Sequence, residues 1–223
     1  MYRAAVGFLL VVGFGLGCCP IPSANAACRL RVGQAMPVET APVAMHGLYR
    51  GGFKQGFRWN DLNGENWLIL TETGEFTPPG RKRRTDGSDE FRQAELYAYR
   101  FVNVNGVFSK AWQIKDFVRE CPLDITAEFI LPATEITDLD GNGIAEAWVM
   151  YKTACRGDVS PATLKIIMYE NTRKYAMRGR ARIELPDFAE GGDMTPDAAF
   201  NGKPVFLRHA EQKWKQFGTE KFE

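Results

Sequence analysis

The chain has 223 residues, of which 45% are hydrophobic, 25% charged and 12% aromatic, the proportions of an ordinary globular protein rather than a disordered or fibrous one. Its 28 basic side chains meet 27 acidic ones, so the basic excess of a dedicated nucleic-acid binder is absent. Two histidines leave little room for a multi-histidine metal centre and make histidine-driven catalysis a minority expectation.

Residues 1–26 have the order of a secretory signal peptide: one positive charge at Arg3, an apolar run from Ala4 to Leu16, then the small tripeptide Ala24-Asn25-Ala26. The run is shorter than the about 20 residues of a transmembrane helix, and no second long apolar stretch follows. The expectation is an exported protein, periplasmic or at the cell surface, whose mature chain starts at Ala27 and has no transmembrane segment. Acylation of Cys18 or Cys19 is the rival, though Gly15-Leu16-Gly17 is a poor approach to a lipidated cysteine. Cleavage removes Arg3, Cys18 and Cys19, leaving 27 basic and 27 acidic residues with Cys28, Cys121 and Cys155. In an oxidising compartment Cys121 is expected to pair with Cys155, since both lie inside the patterned region and Cys28 sits beside the new terminus.

Residues 27–56, with Pro37, Pro42 and several glycines, read as an irregular lead-in holding at most one short strand. The pattern tightens at Phe57, and Trp67 to Thr71 is rich in strand formers. Glu95 to Val102 alternates, with Tyr97, Tyr99 and Phe101 on one face, and Asn103-Val104-Asn105-Gly106 turns it into a second strand, Val107 to Phe117. Further strands are expected over Ala127 to Leu131, Glu146 to Thr153, and in a hairpin of Leu164 to Tyr169 with Lys174 to Ile183. Only Pro204 to Phe217 reads as a helix, with Val205, Phe206, His209, Trp214 and Phe217 among charged residues and Gly218 as a stop. The expected fold is mainly β (α+β), an antiparallel sheet or sandwich built of hairpins with a C-terminal helix, in one domain over 27–223.

The sharpest local signal is Asp138-Leu139-Asp140-Gly141-Asn142-Gly143-Ile144-Ala145-Glu146. Calcium takes six to eight oxygens, and acidic side chains at alternate positions around a glycine turn can wrap it. Asp138, Asp140 and Asn142 would give side-chain oxygens, Ile144 its carbonyl and Glu146 a further carboxylate. The twelfth position, a bidentate glutamate in the helical calcium loop, is Val149 in an expected strand, so this is not an EF-hand. The loop resembles the calcium loops of extracellular FG-GAP and VCBS β-repeats, which precede strands. The competing reading is an Asx-rich turn whose carboxylates bond backbone N–H groups without an ion. A weaker copy, Asp61-Leu62-Asn63-Gly64-Glu65-Asn66, also feeds an apolar strand; two copies suggest a duplicated hairpin unit, too few for a propeller.

Arg81-Lys82-Arg83-Arg84 is followed at once by Asp86, Asp89 and Glu90 and reads as a compensated loop. Arg178, Arg180 and Arg182, at period two, would share one strand face and could grip a phosphate or acidic sugar, unless carboxylates on neighbouring strands take them. The five tryptophans read mostly as core, with a sugar-stacking platform as the alternative. Arg156-Gly157-Asp158 reads as a turn, not an adhesion tripeptide. No zinc-protease, nucleophile-elbow or phosphate-loop pattern is present.

Trp59 to Asn66, Glu95 to Tyr99, Ile136 to Asp140 and Ala154 to Pro161 together resemble a family of exported bacterial proteins sometimes labelled surface polysaccharide biosynthesis proteins. The resemblance spans roughly Arg58 to Ile183. It implies an envelope location and a link to cell-surface glycans, and supplies no catalytic residues. The leading expectation is therefore a non-enzymatic, calcium-stabilised envelope module whose partner is an envelope glycan or a protein. An envelope glycan-acting enzyme using carboxylates such as Asp138, Asp140 or Glu146 in an aromatic-lined cleft is one alternative, and a secreted inhibitor or adaptor is another.

Overall fold

A computed structural model describes residues 32–79 and 91–221. The segment 1–26 expected to be a signal peptide, Cys28 and the basic run Arg81 to Arg84 lie outside the described residues. In chain order the strands are β1 Met36–Val38, β2 Gly52–Asp61, β3 Gly64–Phe76, β4 Arg92–Val104, β5 Val107–Cys121, β6 Asp124–Phe129, β7 Glu135–Thr137, β8 Glu146–Arg156, β9 Thr163–Glu170, β10 Arg173–Arg180, β11 Arg182–Leu185, β12 Phe188–Glu190, β13 Met194–Pro196 and β14 Thr219–Glu220. Among the described residues one α-helix, α1, spans Pro204–Phe217.

The first five strands form an antiparallel meander in the order β1-β2-β3-β4-β5. The second sheet runs β13-β10-β9-β8-β6, also antiparallel, with β7 sharing the β6 edge of β8. A small third sheet joins β12, β11 and β14. The fold is thus mainly β with a C-terminal helix, built of hairpins. Asn105 (φ 52°) and Gly106 (φ 85°) make the two-residue turn between β4 and β5, where only Asn, Asp and Gly tolerate left-handed backbone cheaply. The lead-in ends earlier than its composition suggests, because β2 already begins at Gly52 and the segment before it contributes β1.

The two large sheets stack on a shared core in which Trp59, Leu68, Leu70, Leu96, Ala98, Trp112 and Ile114 from the first meet Phe129, Val149, Tyr151 and Ile167 from the second. Each sheet is covered again on its far side. Tyr97, Tyr99 and Phe101 stack along the outer face of β4 at 5.6 and 6.0 Å between ring centroids, and Ala41 and Met45 of the lead-in close over them. On the other flank Phe206, Ala210 and Trp214 of α1 pack on Trp148, Met150, Ile166, Tyr175 and Met177. Cover on both faces leaves Ala94 to Phe101 of β4 and Glu146 to Tyr151 of β8 buried without a break, although the sequence of β4 alternates.

Cys121 and Cys155 form a disulfide across 34 residues, tying the end of β5 in the first sheet to β8 in the second. At the same end β14 is clamped by Glu220, which is buried and takes a forked pair of bonds from Arg156 at 2.9 Å each, with Lys152 at 3.2 Å. Among the described residues no helix is long and apolar enough to cross a membrane.

Candidate metal centre

The loop 138–145 connects β7 to β8, and its register, Thr137 opposite Glu146, makes it a hairpin connection widened by an acidic turn. Asx bonds shape it: Asp138 Oδ2 accepts from the Gly143 N–H at 3.2 Å, Asp140 Oδ1 from Asn142 N–H at 3.3 Å and Asn142 Oδ1 from Ile144 N–H at 2.7 Å. This frame gathers the carboxylates of Asp138, Asp140 and Glu146, with one oxygen from each within 4.8 Å of the others. Glu146 is fully buried; its Oε2 accepts from the Thr137 hydroxyl at 2.6 Å and the Leu139 N–H at 2.9 Å. Its Oε1, and Oδ1 of Asp138, are buried without a hydrogen-bond partner among the described residues.

A buried carboxylate oxygen with no donor is costly, by about 1–3 kcal/mol, and needs a proton or a cation. Burial, followed by the nearby charges of Asp140 and Asp138, pushes the Glu146 carboxyl above its usual range despite the bonds from Thr137 and Leu139. On the outer side of the cluster Lys203, just before α1, places its ammonium 2.9 Å from Asp140 Oδ2 and 3.5 Å from Glu170 Oε2. Three of the five expected ligand residues therefore converge. Asn142 is turned otherwise, its oxygen held by Ile144 N–H and its nitrogen donating to Glu170 at 2.6 Å, and Ile144 enters through its N–H.

The weaker acidic copy is a tight β2–β3 turn that gathers no ligand set: Asp61 faces the sandwich interior, whereas Glu65 is held by Arg58, Trp67 and Asn103. Its role is to dock on the other loop. Asp61 accepts from Ala145 N–H at 3.2 Å, and Leu62 N–H donates to Gly143 carbonyl at 3.0 Å. Asp61 also accepts from Trp59 Nε1, Asn63 N–H and Asn66 Nδ2. Asn66 in turn accepts two bonds from Arg100, whose other amino group reaches the Asn171 carbonyl at 3.1 Å in the β9–β10 turn. Burial lowers the pKa of the Arg100 guanidinium, and the Asp61 charge opposes that. Sequence reading missed this network because its members are 84 and 71 residues apart along the chain.

A cleft of about 680 Å³ opens beside the cluster, walled by Gln34, Phe57, Glu135, Thr137, Asp138 and Gly141. Glu135 is bonded to His209 at 3.0 Å and Lys213 at 2.6 Å, which hold its carboxyl down to about 2 against the opposing effect of burial. The five tryptophans are between 0% and 9% exposed, so none presents a free ring face for stacking on a sugar.

The three arginines do not share a strand face. The strand expected over 174–183 breaks at Ala181, so Arg178 and Arg180 lie on β10 and Arg182 on β11 of another sheet. The cause is a close approach: a Cβ at Gly179 would sit 1.8 Å from the Asp193 carbonyl oxygen, and the chain then leaves β10 to pair Ala181 with Ala162 and Arg182 with Gly218. Arg180 pairs with Asp193 and Glu190 and Arg182 with Glu184, while Arg178 reaches Asp197 only at 4.0 Å. In the Arg156-Gly157-Asp158 turn the arginine is taken by Glu220 and the aspartate accepts from Ser160. No family model, curated protein or solved structure matches this chain.

Proposed function

We propose that the chain is an exported, non-enzymatic β-sandwich module that binds one calcium ion at Asp138, Asp140 and Glu146 and works in the cell envelope or outside it. The carrying observation is the pair of buried, unpartnered oxygens, Glu146 Oε1 and Asp138 Oδ1, set beside the Asp140 carboxylate. An all-oxygen donor set suits calcium, with water completing the six to eight ligands. Three protein carboxylates with Lys203 already on one of them correspond to a weak site of the extracellular kind, with a dissociation constant of order 10⁻⁴–10⁻³ M. Such a site and the Cys121–Cys155 bridge both suit a compartment where thiols are oxidised. The sequence resemblance supports an envelope glycan as the partner, with a protein partner the alternative.

The cleft at Glu135 favours a second reading, a carboxylate-based glycan enzyme. It ranks below the first because a general acid or base works best with a pKa near the operating pH, and Glu135 is held at about 2. Thermal melts in calcium and in chelator test the leading proposal: calcium should raise the midpoint and magnesium should do so much less, whereas identical midpoints in calcium and chelator would remove the ion.

A further inference from the structure

Away from the acidic loop, a second cleft of about 310 Å³ opens where the inner face of the second sheet extends past β5. Its lining includes Lys165 on β9, Lys174 and Arg178 on β10, Tyr151 on β8 and Asp116 on β5. Lys174 and Arg178 share a face of β10 by the two-residue period, and Lys165 stands directly opposite Arg178 in the β9–β10 register. Like charges directly opposite on neighbouring strands repel and are normally avoided.

The acids at hand do not cancel this. Asp116, the carboxylate in the lining, is taken by Lys165. Asp197 approaches Arg178 only at 4.0 Å, and its Oδ1 accepts from Ala199 N–H. Lys174 has no carboxylate within ion-pair distance among the described residues. Partial burial, then the Arg178 charge, lowers its pKa, and the more distant Asp197 and Asp116 charges oppose this without abolishing it. The cleft therefore holds two cations without close partners in a chain with no general basic excess. One is a planar guanidinium fork suited to two oxygens and the other a mobile point charge.

We propose that this cleft is an anion site for a phosphate group, free or carried as the monoester of a small polar molecule, gripped by Lys174 and Arg178. The double charge of phosphate matches the two cations, and the volume lies at the lower end of small-ligand pockets. The site is independent of the calcium loop, so Glu146→Gln should leave it intact.

Calorimetric titration of the chelator-stripped, dialysed protein with inorganic phosphate and with glycerol 3-phosphate tests it. One saturable site is expected, weakened about tenfold or more by Lys174→Ala or by Arg178→Ala, as for loss of one charge-assisted contact. Arg180→Ala, which removes an arginine already paired with two acids, should leave it unchanged. Tighter binding of the ester supports a carried phosphate, and equal binding supports the free ion. Absence of saturable binding to the wild-type chain overturns the proposal, as does an Arg180→Ala loss equal to that of Arg178→Ala. Lys174 is exposed, so its variant should fold; a melt matching wild type ties any lost affinity to the site.

Discussion

Replacing Glu146 with Gln should make the metal-free protein more stable and abolish its response to calcium. Glu146 has no exposed surface, and one of its oxygens already accepts from Thr137 and Leu139. A glutamine keeps that acceptor, replaces the orphaned Oε1 by an amide N–H₂ and removes a negative charge from beside the Asp138 and Asp140 carboxylates. Removing one orphaned charged oxygen is worth about 2 kcal/mol. For a chain of this size that corresponds to a rise in melting temperature of roughly 4–8 °C in chelator. In the wild type, calcium at roughly 10–100 times its dissociation constant adds about 1.4–2.7 kcal/mol, a rise of roughly 3–10 °C. The variant, short of one charged ligand, should show almost none of that rise. Differential scanning calorimetry of both proteins in calcium and in chelator reads all four midpoints. A variant that melts below the wild type in chelator, or keeps the full calcium shift, would refute the reasoning.

Reducing the Cys121–Cys155 bridge, or changing both residues to Ser, should cost about 4 kcal/mol by the loop-entropy relation for its 34-residue separation, read as a lower denaturant midpoint. Asp61→Ala strands four donors and leaves buried Arg100 without its counter-charge; a loss of about 3–5 kcal/mol in denaturant unfolding is expected. That variant should also weaken calcium binding, because Asp61 holds Ala145 beside the loop. Glu135→Gln leaves Lys213, only 6% exposed, without its counter-charge, and should cost about 1–2 kcal/mol after allowing for the 42% exposure of the Glu135 side chain. Since Glu135 in the folded state sits at about 2, below its ordinary value, its contribution is complete above that value and is lost as pH falls towards 2. Acid unfolding curves of wild type and variant should therefore converge at low pH; a constant gap would contradict this.

Much of the architecture was legible locally. Asn105-Gly106 demanded a hairpin, Pro204 to Phe217 carried both its helical stripe and its start and stop, and Cys121 and Cys155 were matched by the compartment expected of the chain. The acidic loop was legible too, because alternate Asx residues around glycines impose the turn that gathers Asp138, Asp140 and Glu146. What sequence could not show was burial. Glu146, expected only as one more carboxylate ligand, is fully enclosed; Asp61, read as part of a weaker second copy, is a strut between sheets. The arginine stripe failed for a related reason. Period two holds only while a strand continues, and the break after Gly179 depends on a distant segment, Asp193, pressing against it. Lys174 gained interest only once the register set Lys165 against Arg178 beside it.

The two orphaned carboxylate oxygens, Glu146 Oε1 and Asp138 Oδ1, stand or fall as parts of a calcium site. Isothermal titration of chelator-stripped wild-type protein with calcium chloride measures it directly. One equivalent should bind with a dissociation constant of order 10⁻⁴–10⁻³ M, and this binding should be lost in Glu146→Gln and in Asp138→Asn. No binding heat up to high calcium, or identical isotherms for wild type and both variants, would contradict it.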